Sequence, residues 1–331
     1  MIIDDFVIAK LTEHNYTIIK ILGAGQQGSV ILVTHIKEGI QYAAKIFRIS
    51  PNDVEAYRAR KNGPYIEPVA LQMLTAVRAD HVPRFKEFFD FQHATAVYFV
   101  VVTDYAQGIP MDVITKERPP PSLDTVDAII TQFLMALVVF RQVGIAHRDI
   151  KLENVLLDPK TNYITVIDFG LACIHRCYGI GGSPGYVDPR LSLKYVNTKA
   201  SDIDWSQYEK SDQFALGILL YRFINGYGKY PLGHVPKAKR ALPPGFCTNQ
   251  SECAKINQRV VQDYLVYDMN IMNDSTWNPP GIGACGHTAA QVNSLIRRLL
   301  RAEDSPARLY TTWTGTDYND VLHKISELTV V

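Results

Sequence analysis

The chain has 331 residues, of which 47% are apolar and 20% charged, and its formal net charge is +1. That length supports one large domain or two lobes, each with a substantial core. So balanced a charge excludes any electrostatic case for a nucleic-acid or membrane-surface partner.

In chain order, residues 1–15 read as a short leader without readable chemistry. They lack the basic start and long apolar stretch of a secretory signal, so an intracellular protein, cytoplasmic or nuclear, is expected. Three β-rich runs follow, at 17–22, 29–34 and 40–47. Gly23-Ala24-Gly25-Gln26-Gln27-Gly28-Ser29-Val30 lies between the first two. Gly23, Gly25 and Gly28 allow backbone amides to approach a phosphate closely, since no Cβ intervenes. A dinucleotide-binding turn would need a helix directly after the glycines, whereas residues 29–34 are strand-like. The third run carries Ala43-Ala44-Lys45. Ser50 and Pro51 then mark a helix start, broken at Asn62-Gly63-Pro64. A second helix carries Glu67, Val69, Ala70, Leu71 and Leu74. Pro68 inside a helix would cost about 3 kcal/mol, so this helix is expected to begin near Glu67 with Pro68 in its first turn. Residues 97–104 form another strand, leading into Tyr105-Ala106-Gln107-Gly108.

Pro119-Pro120-Pro121 is a rigid break, and Ser122 or Asp124 can cap the helix after it. Val126, Ile129, Ile130, Phe133, Leu134, Leu137 and Val138 recur at helical offsets and give one wide apolar face. This is a buried core helix, because the longest apolar run, within 128–140, is too short and interrupted to span a bilayer. It delivers the chain to His147-Arg148-Asp149-Ile150-Lys151-Leu152-Glu153-Asn154. Two short apolar runs, 154–157 and 163–167, follow around the turn Asp158-Pro159-Lys160-Thr161-Asn162, and then Asp168-Phe169-Gly170. The pattern is loop, strand, turn, strand. Such a hairpin gathers Asp149, Asn154 and Asp168 at one end, where their oxygens suit Mg²⁺ together with substrate phosphates.

These motifs resemble the eukaryotic-type protein kinase family, Ser/Thr branch, over residues 17–310. The resemblance implies an α+β bilobal fold: a small β-rich N-lobe over 16–106 and a larger, mainly helical C-lobe over 107–331. It implies transfer of the ATP γ-phosphoryl group to a protein Ser/Thr hydroxyl, with Mg²⁺ as the metal. On this basis Asp149 accepts the hydroxyl proton and Lys151 steadies the phosphate. Asn154 and Asp168 hold magnesium. Lys45 holds the nucleotide phosphates and pairs with Glu67, with Glu55 as the alternative. Thr103 guards the back of the adenine pocket, Asp104 to Ala106 form the hinge, and Val30, Ala43 and Leu156 sandwich the ring. Asp212, in Ser211-Asp212-Gln213-Phe214-Ala215-Leu216-Gly217 at the head of a central helix, tethers the backbone near His147. Glu153 matches a position that greets a substrate arginine in basophilic relatives, although Pro110 occupies the other usual acidic site.

Two departures from the family pattern stand out. The usual phosphorylation position, four before Ser183, holds Gly179, and the only hydroxyls after Asp168 in this loop are on Tyr178 and Ser183. Activity without loop phosphorylation is therefore expected. Asp188-Pro189-Arg190 stands where the family has Ala-Pro-Glu, so Arg190 would face Arg308, and Asp188 or Glu303 must compensate unless Arg190 points to solvent. Residues 227–280 read as a loop-rich section where relatives dock substrates, followed by helices at 289–301 and 318–328. The five cysteines, Cys173, Cys177, Cys247, Cys253 and Cys285, are few and irregular, so no disulfide framework is expected and a reducing compartment is. Cys173, His175 and Cys177 make at best half a zinc site. Two other classes share the fold. One is a pseudokinase scaffold, against which the complete Lys45, Asp149, Asn154 and Asp168 set argues. The other is a small-molecule kinase, whose members usually lack the HRDxK and DFG motifs.

Overall fold

The computed structural model describes residues 4–25, 28–50, 65–94, 96–175, 177, 181–183, 185–188, 190–191, 205–229, 231, 277–317 and 320. The first element is one the sequence reading did not foresee. Helix α1 (Asp5–Glu13) opens where Asp4 accepts a hydrogen bond from the Phe6 N–H at 3.0 Å. Its buried face, Val7 and Leu11, packs with Tyr16, Ile31 and Val33 on the outer side of a sheet. The residues expected as a featureless leader are thus part of the lobe. Burying Leu11 alone, at 0% exposure, contributes about 2 kcal/mol.

That sheet is antiparallel, in the order β1-β2-β3-β5-β4. It is built from β1 (Tyr16–Gly25), β2 (Gly28–His35), β3 (Gln41–Ile49), β4 (Phe85–His93) and β5 (Ala96–Asp104). The three early runs and the 97–104 strand appear where expected. Strand β4 does not figure in the sequence reading. Its Phe-Lys-Glu-Phe-Phe-Asp-Phe-Gln-His string is only half-buried at the sheet edge, so it lacks the β-branched run that marks an interior strand.

Gly25 and Gly28 face each other across the β1–β2 turn. Gly28 has φ +113°, and a Cβ there would stand 2.3 Å from Ile46 O. Gly28→Ala is therefore expected to destabilise the lobe by about 1–3 kcal/mol, read as a lowered urea midpoint. An unchanged midpoint would show that β3 yields.

Between β3 and β4 lies α2 (Ile66–Ala76), with Pro68 in its first turn as the helix-breaking argument requires. The helix expected from Pro51, together with Glu55, falls in residues 51–64, outside the described residues. Ala70, Leu71 and Leu74 are buried and join the larger core below.

The C-lobe starts with β6 (Ile109–Pro110) and α3 (Met111–Glu117), then α4 (Leu123–Val143). Ser122 caps α4 by accepting from Thr125 N–H, and Gly144 ends it at φ 73°. All seven apolar positions of its periodic face are buried. By length and composition α4 could cross a membrane, but most of its apolar window is core. Next come β7 (Ile145–Ala146), the hairpin β8 (Val155–Asp158) and β9 (Tyr163–Val166), and β10 (Cys173–Ile174), which pairs with β7. Three helices complete the described lobe: α5 (Trp205–Asn225), α6 (Ala289–Arg301) and α7 (Pro306–Thr314). Of the loop-rich section, 232–276 lie outside the described residues, as does nearly all of the expected helix at 318–328. Residues 277–287 are tied to α4 and to the segment that precedes it. Trp277 Nε1 donates to Pro121 O at 3.1 Å. The buried Asp127 carboxylate takes Cys285 N–H at 2.8 Å and meets His287 Nδ1 at 2.7 Å.

Candidate active site

The loop between β7 and β8 is held from beneath by one carboxylate. Asp212, on the buried α5, accepts from His147 N–H at 2.7 Å and Arg148 N–H at 2.8 Å. His147 accepts at Nδ1 from Asp149 N–H (3.2 Å), which leaves Nε2 as the nitrogen that donates to Ile167 O (3.1 Å). Burial lowers the His147 pKa, so the ring stays neutral as those two roles require. These bonds offset the left-handed backbone at Arg148 (φ 68°) and Asp168 (φ 67°), each costing about 1–2 kcal/mol.

Burial pushes the Asp212 carboxyl up to about 7, against the pull of the two N–H donors and of Arg148. A folded value above the unfolded one contributes stability that is complete below the unfolded pKa and lost as pH rises through the folded one. Asp212→Asn removes this titration. The stability of the wild type relative to that variant should therefore fall from ~pH 4 to ~pH 7, by at most about 1.4 kcal/mol per pH unit. Urea unfolding across that window measures it, and a flat difference would mean that Asp212 remains ionised throughout.

Asp149 is buried and fully engaged. Its Oδ2 accepts from Lys151 Nζ at 2.7 Å and Asn154 Nδ2 at 2.9 Å, and its Oδ1 accepts from Ser183 Oγ at 2.8 Å. Lys151 Nζ also donates to Ser183 Oγ at 2.8 Å. Ser183 thus places a hydroxyl between the candidate base and the candidate phosphate-steadying cation. Asn154 Nδ2 donates a second bond to Asp149 O at 2.9 Å, which fixes the amide with its nitrogen toward Asp149.

Across the cleft, Lys45 Nζ donates to Glu67 Oε2 at 2.7 Å and to Asp168 Oδ1 at 2.6 Å. The partner that Lys45 meets is thus Glu67, while Glu55 lies outside the described residues. Burial opposes charge on Lys45, but the Glu67 and Asp168 carboxylates more than offset it and raise its pKa. Burial raises Glu67, with Lys45 opposing. Asp168 is lowered, because the Lys45 cation outweighs its own desolvation. Phe169 is buried beneath α2 and lies against Phe140 and His147, at ring distances of 5.6 and 4.6 Å. This packing holds Asp168 toward Lys45.

Between the two arrays lies a cleft of about 360 Å³, lined by Gly23, Val30, Ala43, Lys45, Thr103, Asp104, Ala106, Asn154, Leu156 and Asp168. Its walls are mainly apolar, with charged groups at one end, as suits a base joined to a polyanion. Thr103 is level with Ala43 in the β3–β5 register. Asp104 N–H donates to Arg84 O at 2.9 Å and anchors the start of the hinge. Gly25 and Gly28 do not line this cleft; they close the turn above it.

Three further findings bear on the expectations from the sequence, and the first bears out Asp188 as the acidic partner of Arg190. Arg190 is paired with its own neighbour: its Nε and Nη2 donate to the two Asp188 oxygens, both at 2.9 Å. Its Nη2 and Nη1 also reach Leu300 O (2.9 Å) and Arg301 O (2.5 Å) at the end of α6. Arg308 instead pairs with Asp304 at 3.3 Å. Second, Glu153 Oε1 accepts from Tyr227 OH at 2.9 Å, and the Tyr227 ring lies near Lys116 Nζ (4.1 Å) and the Arg222 guanidinium (4.4 Å). The carboxylate expected to meet a substrate arginine is already engaged within the chain. Third, Cys173 and Cys177 form a disulfide, against the expectation of free thiols. His175 lies between them at φ 51°, and the Cα atoms of the two cysteines come within 5.2 Å. Among the described residues no cluster of three His, Cys, Asp or Glu side chains could hold a metal ion.

A family model described as the protein kinase domain matches residues 16–308. A probable serine/threonine-protein kinase of Dictyostelium discoideum is 27% identical over 276 residues, which are 78% of this chain and 17% of the relative. Serine/threonine-protein kinase PrkC of Bacillus subtilis is 28% identical over 228 residues, 66% of this chain and 32% of the relative. Calcium-dependent protein kinase 4 of Plasmodium falciparum is 32% identical over 217 residues, 64% of this chain and 38% of the relative. The chain spans less than half the length of each of these relatives. On this match, and with the paired lysine, glutamate and aspartates of the motifs gathered about one cleft, the chain belongs to the eukaryotic-type protein kinase family.

Proposed function

We propose that this chain transfers the γ-phosphoryl group of ATP to Ser or Thr hydroxyls of protein substrates, and does so without phosphorylation of the loop between Asp168 and Ser183. The observation that carries this reading is that both arrays are formed at once. Lys45 bonds Glu67 and Asp168, while Asp149 bonds Lys151, Asn154 and Ser183. A pocket for a base opens beside them.

The donor set fits magnesium. Asp168 offers a carboxylate and Asn154 an amide whose nitrogen is committed to Asp149, and both line the same cleft. A hard cation that keeps substrate phosphates as its remaining ligands needs no more from the protein. When bound, magnesium would draw charge from the β- and γ-phosphate oxygens. The chain's own residues do the rest. Lys45 orients the nucleotide phosphates, Asp149 accepts the hydroxyl proton at a carboxylate oxygen, and Lys151 neutralises the group in transit. The position held by Ser183 Oγ, bonded to both Asp149 and Lys151, marks where a substrate hydroxyl would be received.

Independence from loop phosphorylation is supported by Arg148. Its guanidinium is buried, lies over the Tyr208 ring at 5.2 Å, and abuts Gly181, where an added Cβ would stand 2.8 Å from Nη2. The cation that would grip a loop phosphate is already enclosed by the chain. The test is incorporation of labelled phosphate from ATP into the chain itself and into casein, by wild type and Asp168→Ala, before and after phosphatase treatment. Incorporation by wild type alone, unchanged by phosphatase, is expected. No incorporation would favour a scaffold or a small-molecule kinase, and loss after dephosphorylation of this loop would remove the independence.

A further inference from the structure

The segment that leaves Asp168 must return Ser183 to Asp149, and its described regular elements are a single turn of 3-10 helix, Phe169–Leu171, and the two-residue strand β10. Its only described pairing is the two-residue contact of β10 with β7, extended by His175 N–H donating to Gly144 O at 2.8 Å. The Cys173–Cys177 bond closes directly after that pairing, with the Cα atoms 5.2 Å apart, a separation typical of disulfides. Both sulfurs are buried in a small cluster with Ala146, Leu191 and Tyr208. Tyr208 carries the Arg148 guanidinium on its ring, and Arg148 in turn abuts Gly181. Two residues further, Ser183 bonds Asp149 and Lys151. A covalent link, an aromatic ring, a buried cation and a glycine thus form one continuous path to the catalytic aspartate.

We propose that the Cys173–Cys177 disulfide is a redox-controlled staple that holds this segment in its working position. The proposal rests on the kinase reading for its consequence, but the staple itself does not. Oxidation would proceed by exchange. The Cys177 thiolate, the less buried of the two at 6% exposure against 0% for Cys173, attacks glutathione disulfide. One sulfur–sulfur bond forms as another breaks, and glutathione thiolate leaves. The Cys173 thiolate then attacks the Cys177 sulfur and expels the second glutathione. Two electrons and two protons pass from the protein thiols to the glutathione pair, and a dithiol reverses both steps. Breaking the bond frees a five-residue loop, counting from Cys173 to Cys177. The chain entropy of such a loop corresponds to a shift of about thirtyfold in the equilibrium between the segment in place and displaced.

The experiment compares the full chain equilibrated in glutathione disulfide with the same protein in dithiothreitol. Alkylation and peptide mass mapping are expected to find Cys173 and Cys177 protected in the first and labelled in the second. Phosphorylation of casein should fall by up to about thirtyfold in kcat/KM on reduction and recover on reoxidation. Hydrogen exchange in the peptide containing Ser183 should quicken on reduction. The Cys173→Ala/Cys177→Ala variant should stay at the reduced level in both buffers, whereas Cys285→Ser should keep the full response. Should the double variant fail to fold, the wild-type exchange and rate measurements decide alone. Equal rates and equal exchange in both buffers, or both cysteines labelled under oxidising conditions, would overturn the staple. Faster exchange on reduction with no transfer in either buffer would leave the staple standing and remove the kinase reading.

Discussion

An Asp149→Asn variant is expected to bind nucleotide as the wild type does and to transfer phosphoryl groups at least about a hundredfold more slowly. Asp149 is not among the residues that line the nucleotide cleft, and both of its carboxylate oxygens act as acceptors. Lys151 and Asn154 donate to Oδ2, and Ser183 donates to Oδ1. An amide of the same shape presents a donor to one of those partners. Turned one way, its NH₂ opposes the Lys151 cation; turned the other, it opposes the hydroxyl and can take no proton from it. The shape and the backbone bonds from Asp212 remain, so the nucleotide cleft built from Val30, Ala43, Thr103 and Leu156 should be intact. Fluorescent ATP-analogue titration beside a single-turnover phosphorylation assay separates the two quantities. A variant that keeps more than about a tenth of the wild-type rate would mean that another group takes the proton.

How much of this was legible in the sequence depends on the separation between partners and on how much each partner's type restricts its role. The glycine turn, the strand lysine and the catalytic loop are local strings, and the structure brings Gly25 opposite Gly28, Lys45 onto Asp168, and Asn154 onto Asp149. Glu67 was legible from Leu71 and Leu74, which follow it at helical offsets, and Pro68, a departure from the family pattern, is tolerated because it stands in the first turn of the helix. Contacts between distant residues of ordinary type left no trace. Glu153 and Tyr227 are 74 positions apart, and neither tyrosine nor glutamate in a loop announces a partner. Helix α1 was missed because it is short and shows only Val7 and Leu11 to the sheet. The disulfide was not legible for another reason: two cysteines four positions apart with a histidine between them suit half a metal site as well as a bond, and the backbone turn that decides between them is set by tertiary structure.

Arg190→Glu, which would restore the residue that relatives carry, is expected to destabilise this chain by roughly 3–5 kcal/mol. In relatives the glutamate at this position finds a late arginine. Here that arginine, Arg308, has a side chain 75% exposed and paired with Asp304, while Asp188 is buried at 4% exposure. A glutamate at 190 would face the Asp188 carboxylate in place of its two-pronged partner. It would also present an acceptor to Leu300 O and Arg301 O, which now receive the guanidinium. Those carbonyls close the C-terminal end of α6, where a cation is favoured and an anion is not. Like charge, lost hydrogen bonds and the helix terminus all act in the same direction. Asp188→Asn should be milder, since the amide oxygen can still accept one of the arginine bonds, and the Arg190→Glu/Asp188→Arg exchange should recover part of the loss. Urea midpoints for the three variants test this ordering. If Arg190→Glu unfolds at the wild-type midpoint, the arginine is a surface group and its bonds contribute nothing to the lobe.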